Sequence, residues 1–326
     1  MFSMRASVAA AQERTGIAEV AAALHVDGKT ESAGAAERPF RIASITKSFT
    51  ATLLWETGRF DERTRALLSH TAGYRPESAE PLPPECTGLW SYSNAGYWEA
   101  GSGFPDYSAA LRETVLEPLG LASTGFEPPP DAVLGTLPDG STADPAYPEA
   151  RRPGGGLWST VDDLVTYGLA HCRGYGELHE PVADALGAKY ACGWWARDGG
   201  ILDHEGSIGG FQSLLLLVPE RELVLAVLTN SWRGSALIRH VVEDLGLVPA
   251  SKQAPVAPVE GRYALDDLEA VVADGRVTER ETDPVTGTRI ERRYPFSTDA
   301  TLMSWRADFP RDGVARIGWT ALPRVG

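Results

Sequence analysis

Ser44 is followed three residues later by Lys47, at the head of the run Ser44-Ile45-Thr46-Lys47-Ser48-Phe49-Thr50. A serine with a lysine at this spacing is the pattern of an activated acyl-transfer nucleophile. If Ser44 opens a helix, Lys47 lies one turn on and on the same face. Its amine then reaches the hydroxyl, and the helix N-terminus favours negative charge on the oxygen. The pair alone is a weak signal, since an ordinary helix start gives the same spacing. Its weight comes from two later groups, Tyr92-Ser93-Asn94 and His204-Glu205-Gly206-Ser207.

Two further phrases accompany them, Leu67-Leu68-Ser69-His70-Thr71-Ala72-Gly73 and Pro153-Gly154-Gly155-Gly156-Leu157-Trp158-Ser159-Thr160-Val161-Asp162-Asp163-Leu164. In this order the segments resemble the serine β-lactamase and penicillin-binding-protein superfamily. The match is to its class C-like branch of esterases, D-aminopeptidases, transacylases and β-lactamase-related hydrolases. The resemblance covers roughly residues 40–212. It implies an α/β (α+β) fold of the β-lactamase/transpeptidase type. An antiparallel sheet is flanked by helices, and a mostly helical subdomain completes a cleft in which Ser44 and Tyr92 face His204.

On this resemblance Ser44 is the nucleophile, and Tyr92 leads as its base with Lys47 assisting. A free tyrosine titrates near ~10, so bringing it to neutrality needs about 4 kcal/mol of differential stabilisation. Asn94 orients the substrate amide or Lys47. His204 stands where many relatives carry a lysine and would stabilise Tyr92 or the surroundings of the substrate carbonyl. The oxyanion hole would be the backbone N–H of Ser44 and of Ser207, with Gly206 letting the strand approach the ligand closely. Glu205 reads as solvent-facing strand decoration or as a site for a substrate amine. His70 reads as a structural residue pinning its loop, and Asp162 and Asp163 as first-turn acids of a helix. Trp194 and Trp195 alternate across a strand and read as core packing, with a cleft-lining place for one of them as the alternative. The stretches after Lys47 and after Tyr97 are short for this branch, which implies an open or reshaped pocket.

The 326-residue chain is 43% hydrophobic and 23% charged, as expected of a globular protein with a sizeable core. Its formal net charge of −14 argues against nucleic acid and anionic membrane surfaces as partners. Cys86, Cys172 and Cys192 are widely spaced, with no zinc spacing. Their odd number leans towards a reducing compartment. No basic region followed by an apolar core stands at the N-terminus, and no run is long enough to span a bilayer. The expectation is a cytoplasmic protein. His25, His171, His179 and His240 show no ligand spacing, so neither metal nor cofactor is expected.

The elements that must position these residues follow from the pattern. A helix is expected over 5–15, a hairpin over 21–33 turning at Asp27-Gly28, and the Ser44 helix over 44–57. Residues 74–89 are a Pro-rich loop, 105–119 a helix, 123–155 a long irregular segment and 161–170 a helix. Strands follow at 193–197, 200–204, 211–218 and 223–229, then a helix over 234–245. The N-terminal hairpin and the strands after 190 would form one antiparallel sheet. Residues 1–248 thus form the catalytic domain, 249–258 a Pro/Ala linker, and 259–326 a small β-domain resembling the lipocalin-like appendages of some relatives. Its strands are expected at 261–263, 268–272, 276–279, 289–294 and 316–320.

The function expected is a serine hydrolase that forms an acyl-enzyme on Ser44 with a small ester or amide. The same residues serve a transacylase or peptide cyclase of secondary metabolism, a D-aminopeptidase or a weak β-lactamase. A catalytically silent sensor on the same scaffold is the rival from another class. The oligomeric state is not readable from the sequence.

Overall fold

The computed structural model describes residues 3–248, 257–283, 285, 287–296 and 307–325. Two apolar runs, Phe211–Val218 and Leu223–Thr229, are buried on both faces and form the centre of an eight-stranded antiparallel sheet. In order, its strands are Lys29–Gly34, Val20–Val26, Leu223–Thr229, Phe211–Val218, Ile201–Ile208, Trp195–Arg197, Ala188–Tyr190 and Ala183–Ala185. The hairpin turn at Asp27-Gly28 has positive φ at both residues, as a tight two-residue connection requires. The hairpin and the later strands do share one sheet. The two short strands at 183–190 carry no clear alternation, and the sequence reading passed over them.

Helices cover both faces. Met4–Thr15 and Gly234–Asp244 pack Met4, Val8, Ala11, Leu237 and Val241 against Leu214, Leu216 and Val227. Ser3 caps the first helix and Gly16 ends it in the left-handed conformation. On the other face lie Val161–Arg173, capped by Thr160, and the central helix Thr46–Glu56. That central helix is buried all round from Thr46 to Leu54. Its hydroxyls find partners inside: Thr50 bonds Pro153 O and Tyr107, and Thr52 bonds Tyr167 and His171. A polar sequence can therefore run through the core without leaving unpaired groups.

The helical subdomain adds Glu62–Leu68, Asn94–Gly101 and Tyr107–Leu111, the last running into a π turn over Arg112–Leu116. The expected single helix over 105–119 is thus broken in two. Residues 123–155 are irregular until the 3₁₀ turn Glu149–Gly154. Among the described residues no helix is long and apolar enough to cross a membrane.

Beyond residue 257 the chain forms a separate seven-stranded antiparallel sheet. The proposed linker at 249–258 lies almost wholly outside the described residues. The expected strand at 316–320 is two strands, Val314–Ile317 and Thr320–Val325, turning at Gly318, which has a positive φ. A further strand, Ala307–Arg311, was not foreseen. This sheet buries Leu82 and Cys86 of the Pro-rich loop in its own core. It is bonded to the rest of the chain through Tyr92 N–H to Trp319 O (2.8 Å), Ala321 N–H to Ser91 Oγ (3.2 Å) and the Arg75–Asp266 ion pair. Removing residues 249–326 therefore strips a hydrophobic cover and an acceptor from the Tyr92 segment. The thermal midpoint of the truncated chain should fall by on the order of 10 °C in calorimetry; an unchanged midpoint would show the sheet to be a passive appendage.

Candidate active site

The short strand Phe40–Arg41 pairs with Trp158–Ser159 and delivers the chain to a sharp turn. Ala43 there has φ +49°, a left-handed conformation unusual for alanine. Ser44 follows in the 3₁₀ turn Ala43–Ile45, which leads directly into the helix Thr46–Glu56. The turn is pinned from the sheet. Ser213 Oγ donates to Ile42 O at 2.9 Å, and a Cβ at Gly206 would lie 2.3 Å from that same carbonyl. Gly206 therefore admits the Ser44 turn, rather than a ligand, against the strand.

Lys47 is wholly buried. Its Nζ lies 3.1 Å from Ser44 Oγ, 2.7 Å from Asn94 Oδ1 and 2.6 Å from Gly154 O. Burial pushes its pKa down to about 7, against the opposing pull of the Glu77 charge. A neutral amine has two N–H bonds and one lone pair. Asn94 Oδ1 and Gly154 O are acceptors only and take the two N–H bonds, so the lone pair faces the Ser44 hydroxyl. The Asn94 amide is fixed in this sense because its Nδ2 donates to Glu77 Oε1. Asn94 opens a helix capped by Ser93, whose Oγ accepts from Gly96 N–H and donates to Arg75 O.

Tyr92 lies beside Ser44, but burial pushes its pKa up, not down. Its hydroxyl makes no well-formed hydrogen bond. Burial thus favours the protonated phenol at Tyr92 and brings the Lys47 amine to about 7.

His204 does not reach the cleft. It lies within an aromatic cluster, and burial holds its pKa down to about 3, so the ring is neutral. Its Nδ1 is 2.7 Å from Glu205 O, which can only accept, so Nδ1 carries the proton. Nε2 then accepts from Tyr190 Oη at 2.9 Å. Tyr190 Oη in turn accepts from His70 Nε2–H at 3.3 Å, and His70 Nδ1 accepts from Ser93 N–H at 3.0 Å. One neutral chain with every proton assigned by its partners ties the Tyr92-Ser93-Asn94 loop to the strand Ile201–Ile208. His70 pins its loop, as expected.

Glu205 is not solvent-facing. It is 8% exposed and lies 3.8 Å from Arg197, which also pairs with Asp203. Trp194 and Trp195 are both buried. The Ser207 hydroxyl accepts from Gln212 Nε2 at 2.6 Å. The Gly209-Gly210 turn makes Ile208 and Phe211 a hydrogen-bonded pair, so alternation turns the Ser207 N–H away from that neighbour. The neighbour on the other side has ended, since its pairing stops at Trp195 with Asp203. That edge of the strand is left open beside Ser44.

A cavity of about 180 Å³ lies over Ser44, lined also by Glu77, Tyr92, Asn94, Tyr147, Arg151 and Ser207. Its far wall is the C-terminal sheet, through Leu268, Glu279, Glu281, Arg292 and Trp319. The pocket beside the shortened helical elements is thus lined on one side by the C-terminal sheet. Sequence reasoning missed Glu77, Tyr147, Tyr190, Gly154 and this wall. Only Gly154 carried a signal, as part of the quoted glycine triplet. A Cβ on Gly155 or Gly156 would fall within 2.6 Å of Tyr147, so the triplet lets that ring lie on the backbone. Among the described residues no group of three His, Cys, Asp or Glu could hold a metal.

The relay generates a prediction. Tyr190→Phe leaves His70 Nε2–H and His204 Nε2 buried without their partner, and urea unfolding should show a loss of about 2–4 kcal/mol. A loss below about 0.5 kcal/mol would mean that the chain does not hold the two walls together.

The fold is shared with known proteins. SurE is similar in structure at 21% identity with a TM-score of 0.72, covering 99% of this chain and 98% of SurE. A class C beta lactamase from Rhodobacter sphaeroides aligns at 19% identity and TM-score 0.64, over 73% of this chain and 98% of that one. A beta-lactamase/D-alanine carboxypeptidase from Pseudomonas syringae aligns at 14% identity and TM-score 0.63, over 74% of this chain and 97% of that one. At these identities they show the fold. A human protein described as beta-lactamase-like is 30% identical over 173 residues, 46% of this chain and 34% of that protein, so the chain spans about a third of its length. The Beta-lactamase family model matches residues 55–243, more than half of the sequence and downstream of Ser44 and Lys47. On that match the chain belongs to the beta-lactamase family.

Proposed function

We propose that the protein is a serine hydrolase that acylates Ser44 with a small ester or amide and releases the acid. The observation that carries this is the Lys47 amine, 3.1 Å from Ser44 Oγ with its two N–H bonds held by Asn94 and Gly154. Lys47 takes the Ser44 proton as Oγ attacks the carbonyl carbon. The N–H groups of Ser44 and Ser207 receive the developing oxyanion, each worth about 3 kcal/mol in such sites. Lys47 then returns the proton to the leaving group, with the protonated Tyr92 as a neighbouring donor. Water attacks the acyl carbon by the same route, passing its proton through Lys47 to Ser44. Esters need less leaving-group help than amides, so a carboxylesterase activity fits best.

Transfer to an amine is the second reading, as in a transacylase or peptide cyclase. SurE, a neighbour that covers 99% of this chain, has also been crystallised with D-Leu, a molecule that carries an amine. Three free thiols among the described residues suit a reducing compartment. The assembled Ser44, Lys47 and Asn94 argue against a silent sensor.

A fluorophosphonate should add its mass to Ser44, and Ser44→Ala should abolish both the adduct and p-nitrophenyl ester turnover. Absence of an adduct in active protein would end the reading. The base works only when deprotonated, so kcat/KM should fall as pH drops through about 7 and level off above it. A rate still climbing tenfold per unit near pH 9 would assign the base to Tyr92. Lys47→Arg, which cannot deprotonate, should lose on the order of 10²–10⁴-fold in kcat.

A further inference from the structure

We propose that Glu77 is a positioning residue for the acyl transfer: it fixes the Asn94 amide with its carbonyl on Lys47 and serves as the counter-charge of that amine. This rests on the acyl-enzyme reading and concerns the control of its base. Glu77 Oε1 accepts from Asn94 Nδ2, and Asn94 Oδ1 accepts from Lys47 Nζ at 2.7 Å. Glu77 thus acts on the base through one intervening amide and through its charge. Turned over, the amide would set Oδ1 against the carboxylate, acceptor against acceptor. It would also aim Nδ2 at the Lys47 lone pair, which the Ser44 proton needs. A carboxylate can only accept, so Glu77 excludes that sense; a neutral amide side chain in its place would admit both.

The segment that carries Glu77 is built around Asn94. Pro76 O accepts from Asn94 N–H at 2.7 Å and from Ala95 N–H at 3.2 Å, and Arg75 O accepts from Ser93 Oγ at 2.7 Å. Leu82 N–H closes the loop on Gly73 O at 2.8 Å. The Arg75–Asp266 ion pair ties the same segment to the C-terminal sheet. Three consecutive residues, Arg75, Pro76 and Glu77, therefore hold the start of the Asn94 helix, and the carboxylate is delivered with them.

Glu77 is the carboxylate whose charge acts on Lys47. The other titratable groups around that amine are neutral. The rings of Tyr92 and Tyr97 lie 4.9 and 5.4 Å from Nζ, and burial pushes both phenols up. Burial holds His70 and His204 down. Around Glu77 itself, burial raises the pKa; the Asn94 bond, Arg151 at 3.9 Å and Lys47 pull it back, and Asp267 opposes them. An anion beside an amine stabilises the ammonium. Glu77 therefore raises the pH at which Lys47 gives up its proton, against burial, which lowers it. Without that charge the free amine should persist to lower pH.

The test follows kcat/KM for p-nitrophenyl acetate, and the rate at which a fluorophosphonate labels Ser44, as functions of pH. It compares the wild type, Glu77→Gln and the exchange variant Glu77→Gln/Asn94→Asp. Rates are taken per labelled Ser44, so a smaller folded fraction does not enter them. In Glu77→Gln the acid limb should move down by about one pH unit from its place near 7. The alkaline plateau should fall about tenfold, because glutamine admits the turned amide. In the exchange variant the carboxylate meets Lys47 directly, and the limb should move above the wild-type position by about one unit. A merely structural role would not move the limb in opposite directions. A limb left in place by Glu77→Gln, or a plateau at the wild-type rate, with Ser44 still labelled, would overturn the proposal alone. No label on wild-type Ser44 at any pH would overturn the acyl-enzyme reading along with it.

Discussion

An amine taken wholly out of water keeps its proton only where the surrounding dipoles and charges replace hydration. At Lys47 the replacement is partial. Two carbonyl oxygens and one hydroxyl surround Nζ, and a single carboxylate, Glu77, held by the Asn94 amide, acts on the amine through its charge. Burial wins over that carboxylate and leaves the pKa near neutrality. The chemistry assigned to Ser44 depends on this balance, and most of the surrounding architecture can be read as the means of holding it.

The helix that carries Lys47 could not be an ordinary amphipathic surface helix, since that would wet one face. It is surrounded on every side, and its hydroxyls bond inward to Tyr107, Tyr167, His171 and Pro153 O. The turn that precedes it is fixed by the sheet at Ile42 and by the absence of a side chain at Gly206. Across the cleft, the His70–Tyr190–His204 chain links the loop bearing Asn94 to the strand bearing Ser207 with no net charge. A charged relay beside Lys47 would have altered its titration; a neutral one gives rigidity without that side effect.

The sequence made local relations legible and left long-range ones hidden. Ser44 and Lys47 could be read because one helical turn relates them, and Asn94 because its motif fixes it two residues after Tyr92. The central strands could be read from unbroken apolar runs. The burial that raises the Tyr92 pKa could not be read from the motif, because it is a property of the packed aromatic cluster. The surroundings of His204 and Glu205 were hidden for a related reason. On one strand they point to opposite faces, and both faces are covered, one by aromatic rings and the other by the Arg197 ion pairs. Glu77 and the C-terminal wall carried no signal because their meaning arises only where distant segments meet.

The bond from Tyr92 N–H to Trp319 O joins the middle of the chain to a segment made much later. During synthesis the serine, lysine and asparagine emerge early, and their helices can pack while the second sheet is still being translated. The acceptor for Tyr92 and the far side of the ligand space arrive only afterwards. A nascent chain therefore holds Ser44, Lys47 and Asn94 before it has the strands that line the far side of the cavity.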